Sequence, residues 1–481
     1  KMYISGSGET VIPGSLRTFP VLNSVDTFYV NSDTDAISDI TFNVEFKLKR
    51  NTGTGTWNAN VAKDIVLALI DKVEIKLGSL TAQTLTADDI YIRNLTELGK
   101  PFSFSAPIAS PRRTPLTENY LATPPLHALL EQQEPKGYEN VWKYRATGVS
   151  DTLKIQAACS IPFIGRSNDV ARSLLQAGAL TNALTVKVYY NEIYKSNDKV
   201  QESHFQILSA GDKGLGKAGE TSNFLDTSYF KSFIKVRTHI ITETEKRFIS
   251  KNIVHRIVNT SSSITKEITK NTLISSHTAD VTDIEVDLEN ISFNVSHLLV
   301  GVKLPHVKDR RLSLHSGVTN APSAVDLTKT YNNELPTPFS VINSQTFHKN
   351  TAATNSDALF GYMPDSIDSM ELVVGSDRTG FISGVSAKID TCENFNLVNS
   401  DNSAHYIITL AEKAFDTTGI AFSKTNNKKL LIKLNNDIFY KTSEVTPNPL
   451  SDSNFSQNAI ITVTACGTKV QSVVGGSMSF M

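Results

Sequence analysis

The chain has 481 residues, of which 40% are hydrophobic and 20% are charged, and these proportions are typical of soluble globular proteins. A chain of this length is expected to form about two to four domains. The formal net charge is only −1, which excludes the overall basic field that nucleic-acid-binding proteins use. No run of about 18 apolar residues occurs, so we expect no membrane-spanning helix.

The three cysteines, Cys159, Cys392 and Cys466, are too few and too widely spaced for a disulfide framework or a zinc cluster. We expect them to be small buried hydrophobic residues. This cysteine usage is consistent with assembly inside a cell.

Strands with one buried and one wet face are predicted along the first half of the chain. Ile40, Phe42, Val44, Phe46 and Leu48 alternate with polar residues, the period of two that marks a half-buried strand. The alternation recurs at 73–77, 184–188 and 234–240, where Ile234, Val236 and Ile240 are predicted to share a face. Because such strands need a second sheet to cover their apolar side, the pattern predicts β-sandwiches.

Two short helices are predicted in the connections between these strands. The first begins at Thr123-Pro124, a hydroxyl cap followed by proline, and ends before Pro135. The second begins at Ser167 or Asn168, runs through Val170–Gln176 and ends at Gly178. It precedes the segment Leu184–Tyr190, which is predicted to be the last strand of the first domain.

Three short segments of the first half recur, in the same order, in the second half. The pairs are 40–44 with 291–295, 70–79 with 367–376, and 182–186 with 458–462. A repeat this long predicts two similar domains rather than a solenoid of small units. The duplication also predicts that Phe293 and Val295 face a second core, as Phe42 and Val44 face the first.

The predicted domains are a first sandwich over residues 1–205, a glycine-rich linker over 206–228 and a second sandwich over 229–481. Four glycines between Gly211 and Gly219 supply the flexibility expected of a linker. The gap between the first two repeated segments is much longer in the second half. We therefore expect a large protruding loop near 305–362, since lengthening a surface loop costs little free energy.

A nucleotide site is the sharpest alternative interpretation of this linker. Gly214–Gly219 matches G-x-G-x-x-G, and Gly211–Lys217 matches the first part of a phosphate loop. However, Ala218 stands where a serine or threonine hydroxyl would bind magnesium. Because no alternation of strands and helices surrounds the segment, we expect a linker that binds no nucleotide.

Other groups of charged residues are expected to lie on the surface. Asp88-Asp89 and the segment 242–247 are interpreted as turns or solvated faces, and the basic spots 111–113 and 309–311 as surface or interface charge. Asp280, Asp283, Glu285 and Asp287 alternate with apolar residues and are predicted to form the wet face of a strand. The ten histidines form no metal-binding or catalytic motif. We therefore predict no catalytic, cofactor-binding or metal-binding residues, and no enzyme activity.

Two successive large β-sandwiches with a helix before a late strand resemble the double jelly-roll major capsid proteins of tailless icosahedral viruses. This lineage includes adenovirus hexon-like proteins and the coats of membrane-containing phages. The resemblance covers nearly the whole chain and is architectural, resting on segments such as 40–48, 170–176 and 291–302. It implies an all-β fold of two tandem jelly rolls with short flanking helices and long inter-strand loops.

The resemblance further implies a homotrimer with a pseudo-hexagonal outline, because three chains contribute six similar barrels. Neighbouring capsomers and minor capsid proteins would be its partners, with an internal viral membrane beneath the shell as an open option and no specific nucleic acid. The chain would be located in the virion after assembly inside the host cell. Its role would be structural and would need no cofactor.

Two other classes stay open. A carbohydrate-binding or adhesive sandwich protein would show a stripe of exposed aromatic residues, and the sequence offers only two tryptophans, Trp57 and Trp142. A hydrolase would need a close pair of acids in a cleft, which only the folded structure can reveal.

Overall fold

The structure is a computed structural model, and it describes the greater part of the β framework. The described residues are 4–14, 23–30, 35–49, 56–62, 65–98, 141–147, 152–163, 166, 175–176, 178, 183–190, 205–209, 225–268, 283–303, 367–378, 382–383, 406–434, 459–474 and 477–480.

The first sandwich consists of two four-stranded antiparallel sheets. One has the order β1-β11-β3-β8 and is formed by β1 (Ile4–Pro13), β3 (Ala36–Lys49), β8 (Thr152–Ser160) and β11 (Leu225–Ile241). The other has the order β2-β9-β5-β6 and is formed by β2 (Val25–Val30), β5 (Ile70–Leu77), β6 (Leu80–Thr86) and β9 (Leu184–Tyr190). Phe42 of the first sheet packs against Phe28 and Tyr190 of the second, with ring centroids 6.1 and 6.2 Å apart.

A smaller sheet is built from three long connections of this sandwich. It has the order β10-β4-β7 and consists of β4 (Thr56–Ala62), β7 (Val141–Thr147) and β10 (Phe205–Ser209). The connections that supply it join β3 to β5, β6 to β8 and β9 to β11. These three connections therefore meet at one place on the first sandwich.

The second sandwich repeats the arrangement. One sheet has the order β12-β21-β14-β18, with β19 on β14 and β22 on β21. Its strands are β12 (Val254–Ile268), β14 (Asn294–Lys303), β18 (Tyr406–Thr409), β19 (Ile420–Ala421), β21 (Ala459–Val474) and β22 (Ser477–Phe480). The other has the order β13-β20-β15-β16, with β17 on β15. Its strands are β13 (Asp283–Asp287), β15 (Ile367–Val374), β16 (Asp377–Arg378), β17 (Ile382–Ser383) and β20 (Lys428–Leu434).

The two sandwiches have one topology. Taken in chain order, β1, β2, β3, β5, β6, β8, β9 and β11 occupy the same sheet positions as β12, β13, β14, β15, β16, β18, β20 and β21. Eight strands arranged in this way in two facing sheets form a jelly roll. The predicted all-β fold of two tandem jelly rolls is therefore confirmed.

Two of the three repeated sequence segments lie on equivalent strands. Residues 40–44 lie in β3 and residues 291–295 lead into β14, which begins at Asn294, while 70–77 and 367–374 form β5 and β15. Both of the latter strands end in a two-residue turn whose first residue is a glycine with positive φ, 61° at Gly78 and 68° at Gly375. A tight hairpin of this kind needs glycine in that position.

The third repeated pair is not equivalent, because 182–186 leads into β9 whereas 458–462 leads into β21. The true counterpart of β9 is β20. The Gly78 N–H donates to Ala183 O, one residue before β9, and the Gly375 N–H donates to Asn427 O, one residue before β20. β9 is also not the last strand of the first sandwich, because β11 follows it. Short alternating segments resemble one another by composition alone, which explains the false match.

The predicted buried faces are largely confirmed. Phe42, Val44 and Phe46 are fully buried in the first core, and Phe293 and Val295 are buried in the second. Cys159 and Cys466 are buried free thiols as expected, while Cys392 lies outside the described residues. In β13, Ile284 and Val286 are buried while Glu285 and Asp287 are exposed, as predicted for a strand with one wet face; Asp280 lies outside the described residues.

One predicted face is wrong near the end of β11, beside a bulge in its partner strand β3. Ile234 and Val236 are fully buried, but Ile240 is 58% exposed and its neighbour Ile241 is buried. The pairing of β11 with β3 shifts register between Arg237 and Thr238. The extra residue is Ser38 of β3, since two consecutive residues of β11 pair with residues two apart in β3. A bulge bends and twists the paired strands locally, and the alternation of buried and exposed residues in β11 ends beside it.

The strand pairing also bears on the predicted domain limits. Residues 205–209 pair with β4 of the first sandwich, and residues 225–241 pair with β1 and β3. A boundary at 228/229 would therefore cut through β11, and the glycine-rich segment connects two strands of the same sandwich. We propose instead that the first sandwich extends to Ile241 and that the helix at 243–251 connects it to the second.

The described helices are not the predicted ones. They are α1 (Ile65–Leu69), α2 (Ala87–Leu98) and α3 (Glu243–Lys251). The predicted helix at 123–135 lies outside the described residues, as do most of the second helix, the loop near 305–362 and both basic spots. Thr242 caps α3 by accepting a hydrogen bond from Glu245 N, so the segment 242–247 is the first part of a helix rather than a turn.

Candidate interdomain site

The helix α2 is the element that brings the two sandwiches together. It follows β6 of the first sandwich and contacts β12 and β21 of the second. Its first turn is fixed by a reciprocal cap: Asp89 N donates to Thr86 Oγ1, and Thr86 N donates to Asp89 Oδ2. Asp88-Asp89, interpreted from the sequence as a turn, therefore begins a helix, with Thr86 and Asp89 as its capping box.

A buried ionic cluster lies on the inner side of α2. Glu97 accepts a hydrogen bond from Arg93 Nε at 2.8 Å and another from Arg166 Nη1 at 2.9 Å. The Arg93 side chain is fully buried, and those of Glu97 and Arg166 are 3% and 9% exposed. Asp39, 3.7 Å from Arg166, completes a set of two positive and two negative charges.

The charge state of this cluster follows from its geometry. Burial alone would raise the pKa of Glu97, but the charges and hydrogen bonds of Arg93 and Arg166 hold that pKa below its usual value. Asn94 and Ser160 accept the remaining hydrogen bonds of Arg166. Paired and hydrogen-bonded charges of this kind tolerate burial, whereas removal of one partner leaves an uncompensated charge.

Three polar contacts join this cluster and the capping box to the second sandwich. Arg93 Nη2 donates to Asn259 O at 3.5 Å, and Asn259 N donates to Arg166 O at 3.0 Å. Ser263 Oγ donates to Asp89 Oδ1 and also lies 2.8 Å from Thr464 Oγ1. The first sandwich is thus hydrogen-bonded to the outer strand β12 of the second at two separate points.

The reactive residue types near this interface are held in unreactive states. Burial raises the pKa of the Cys159 thiol to about 12 and also raises that of Cys466, so neither provides a thiolate nucleophile near neutral pH. Burial lowers the pKa of His297 to about 3. Its ring packs edge-on against Phe415 at 5.3 Å and its Nδ1 lies 2.9 Å from Ser296 Oγ.

A second polar cluster joins the two sheets of the first sandwich. Asp26 is fully buried and accepts hydrogen bonds from Tyr190 Oη at 2.8 Å and from Ser232 Oγ. The second sandwich instead contains a buried lysine, Lys428, which donates to Ile291 O and Phe422 O at 2.9 and 2.8 Å. Both groups satisfy buried charge by hydrogen bonding within the fold.

Metal-binding, membrane-spanning and nucleotide-binding features were each considered from the sequence. Within the described ranges, no three His, Cys, Asp or Glu side chains lie close enough to bind one metal ion. No helix of the described residues is long and apolar enough to cross a membrane. Gly211–Gly219 lies outside the described residues, so the absence of a nucleotide site there stays a prediction. No sequence pattern indicates the cluster of Arg93, Glu97 and Arg166, because their proximity depends on the fold.

The fold matches solved structures of viral capsid proteins over the entire chain. The PBCV-1 protein VP54, as fitted into a reconstruction of the virophage Sputnik, is 12% identical with a TM-score of 0.58, over 100% of this chain and 97% of VP54. A PBCV-1 virus capsid model gives 12% identity and a TM-score of 0.57 over the same shares. The Faustovirus major capsid protein is 10% identical with a TM-score of 0.50, over 98% of this chain and 91% of that protein.

No protein-family model matches the chain, and no curated protein matches it. The similarity therefore lies in the arrangement of strands rather than in the residues. The resemblance inferred from the sequence is confirmed at the level of the fold: the chain has the double jelly-roll fold of these viral capsid proteins.

Proposed function

We propose that the chain is a viral major capsid protein, a structural component of an icosahedral virion rather than an enzyme. The observation that carries the proposal is the equivalence of all eight strands in two tandem jelly rolls, together with a match to capsid proteins over the whole chain. Identity of 12% or less leaves the function to be tested directly.

The proposed assembly unit is a homotrimer that presents six jelly rolls in a pseudo-hexagonal outline. The interdomain contacts of α2 support this arrangement, because a tile of six barrels requires a fixed angle between the two barrels of each chain. A closed cyclic trimer also satisfies the symmetry expected of soluble homo-oligomers. Neighbouring capsomers and minor capsid proteins are the proposed partners. Such a unit is compatible with a shell that has an internal membrane beneath it and with one that has none.

An exposed apolar surface on the segment between the sandwiches is the proposed trimer contact. Ile240, Phe248 and Ile253 are each 57–58% exposed, and Ile257 and Val470, which face each other across β12 and β21, are 45% and 38% exposed. These five residues are called the connector patch. Four of them lie between residues 240 and 257 of the chain and the fifth pairs with Ile257, and exposed apolar residues that form a contiguous surface mark interaction sites.

Hydrodynamic measurement tests the proposal. The purified chain is expected to sediment at three times its monomer mass of 52.7 kDa and to show a hexagonal outline in negative stain. Phe248→Asp is expected to shift the protein to monomer, because a buried unpaired carboxylate is costly. Ser376→Asp, which adds the same charge at the exposed β15–β16 turn, is the matched control.

Two results distinguish the capsid assignment from the proposed role of the connector patch in the trimer contact. A monomer at all micromolar concentrations would contradict the capsid assignment itself. A trimer that both variants leave intact would retain the assignment but remove the connector patch from the contact.

The carbohydrate-binding alternative gains no support from the described surface. Among the residues whose exposure the structure describes, the large exposed aromatic side chains are Tyr29 and Phe248. They lie on β2 and α3 and form no stripe. Trp57 and Trp142 lie on the paired strands β4 and β7.

A further inference from the structure

The two sandwiches leave a groove between an edge strand of each. The groove has a volume of about 350 Å³ and is lined by residues 82–85 of β6, Asp89 of α2, residues 258–263 of β12 and Lys469 of β21. In the described part of the chain, β6 pairs only with β5 and β12 only with β21. Runs of consecutive residues line the groove because its walls are strand edges rather than sheet faces.

The hydrogen-bonding direction of β12 can be read from Asn259. Its N–H donates to Arg166 O and its C=O accepts from Arg93, so both groups point away from β21. The pairing of β12 with β21 has no register shift, and backbone groups alternate sides along a strand. The N–H and C=O of Ser261 and Ser263 therefore also point away from β21, into the groove.

The outward N–H and C=O groups of Ser261 and Ser263 have no backbone partner within the described residues. The contacts of Asn259 with the first sandwich lie at one end of the groove, and the contact of Ser263 Oγ with Asp89 lies at the other. Ser261 lies between them. An unpaired strand edge of this kind is a template for an added strand.

Two polar side chains of the groove, Gln83 and Lys469, affect what it can bind. Gln83 Nε2 donates to Pro162 O, while its buried Oε1 has no hydrogen-bond partner in the structure described. Lys469 is half-buried, and its ammonium group lies 5.3 Å from the Phe293 ring centroid. No carboxylate among the described residues lies within 4.0 Å of that ammonium group, and burial lowers the pKa of Lys469.

From this geometry we propose that the groove binds an extended segment of a separate protein, which adds a strand to the edge of β12 and places an acidic side chain near Lys469. The main-chain groups of Ser261 and Ser263 form hydrogen bonds with the added strand. The charge of Lys469 favours an acidic side chain on that strand. A strand occupies about 160 Å³ per residue at the usual spacings of 4.8, 10 and 3.3 Å. The groove therefore encloses about two residues of the added segment, and the rest extends beyond it.

A five-residue probe peptide, acetyl-Thr-Val-Glu-Val-Thr-amide carrying a fluorescent label, tests the proposal by anisotropy with the full chain. Saturable binding is expected, together with slower amide exchange at Ser261 and Ser263. The N-methylated peptide should not bind, because it lacks backbone donors. A peptide with lysine in place of glutamate should bind at least tenfold more weakly than the probe.

Ser261→Pro is the decisive variant. The N–H of Ser261 does not take part in the hydrogen bonds between β12 and β21. Proline is tolerated on an edge strand where the N–H faces outward. The variant should therefore fold, as checked by its melting temperature, yet bind the probe at least tenfold more weakly. Ser261→Ala keeps the N–H and is expected to bind normally. Lys469→Met should remove the preference for glutamate over lysine, and this variant tests the site even if Ser261→Pro fails to fold.

Three results would overturn the proposal. The first is the absence of saturable binding at peptide concentrations up to about 1 mM. The second is equal binding by Ser261→Pro and Ser261→Ala. The third is a change in sedimentation of the unliganded protein on Ser261→Pro, because the groove would then be an interface between copies of this chain. Since binding is measured on the chain itself, each result is independent of whether the protein forms a capsid.

Discussion

The two jelly rolls share a strand order but differ in how they fill their interiors. The first core contains a connected set of aromatic rings, Phe28, Phe42, Tyr190 and Phe230. The second core is mainly aliphatic, with residues such as Ile284, Leu298, Leu372, Ile432 and Val463. The same topology therefore accepts different side chains, provided that the apolar faces of the two sheets are covered.

The polar residues differ even more. The first sandwich carries α2 after β6, and Arg93 of this helix donates to Asn259 O of the second sandwich, whereas β16, the counterpart of β6, has only two residues. The two copies of the jelly roll therefore differ at the surface where they contact each other. The repeated strands thus form the barrels, whereas α2, which contacts the second barrel, has no counterpart among the described residues of the second sandwich.

The largest effect is expected from breaking the buried cluster of the first sandwich. Glu97→Gln would leave the charges of Arg93 and Arg166 without their central carboxylate and should lower the free energy of unfolding by about 3–5 kcal/mol, measured by chemical denaturation. The matched control is Glu371→Gln in the second sandwich, which breaks an exposed pair with Arg378 and should cost less than about 1 kcal/mol. Equal costs for the two variants would contradict the account of the cluster.

The aromatic core of the first sandwich gives the next prediction. Phe42→Ala should cost about 3–5 kcal/mol, because the ring is fully buried between the sheets. Tyr29→Ala, at a side chain that is 65% exposed, should change stability by about 0.5 kcal/mol or less. An unchanged melting temperature for Phe42→Ala would show that the register of β3 is wrong.

Acid should destabilise the second sandwich through His297. Its pKa is lowered to about 3 in the folded protein, against about 6.5 in the unfolded chain. The unfolded state therefore binds the extra proton, and stability falls as the pH drops from about 6.5 towards 3, by at most about 1.4 kcal/mol per pH unit. His297→Gln should flatten the pH dependence of the free energy of unfolding in this window. A slope that does not change would mean that another group controls acid sensitivity.

The smallest effect is expected at the two equivalent turns. Gly78→Ala and Gly375→Ala should each cost about 1 kcal/mol, because alanine is strained at positive φ. A Cβ on Gly375 would meet only Thr425 Cγ2, at an ordinary 3.8 Å, so the cost there is conformational. Similar melting shifts for both variants would support the equivalence of β5 and β15, and a large difference would weaken it.

Most buried faces and two of the three repeated pairs could be predicted from the order of residues along the chain. Alternation placed Phe42, Val44 and Phe46 in one core and Val295 in another, because the strand period is fixed by backbone geometry. Gly78 and Gly375 were part of the second repeated pair, and the structure shows both as turn residues with positive φ. These features depend on neighbours in the chain and can be predicted locally.

Strand order, the bulge of β3 beside β11 and the interdomain cluster depend on how distant segments pack. Ile240 is exposed instead of sharing the buried face of Ile234 and Val236, and residues 225–241 pair with β1 and β3 of the first sandwich. Arg93 and Asn259 are 166 residues apart in the chain, and no local pattern signals their hydrogen bond. Contacts of this kind arise only when whole sheets pack, because the free energy that fixes them comes from burial shared by distant segments.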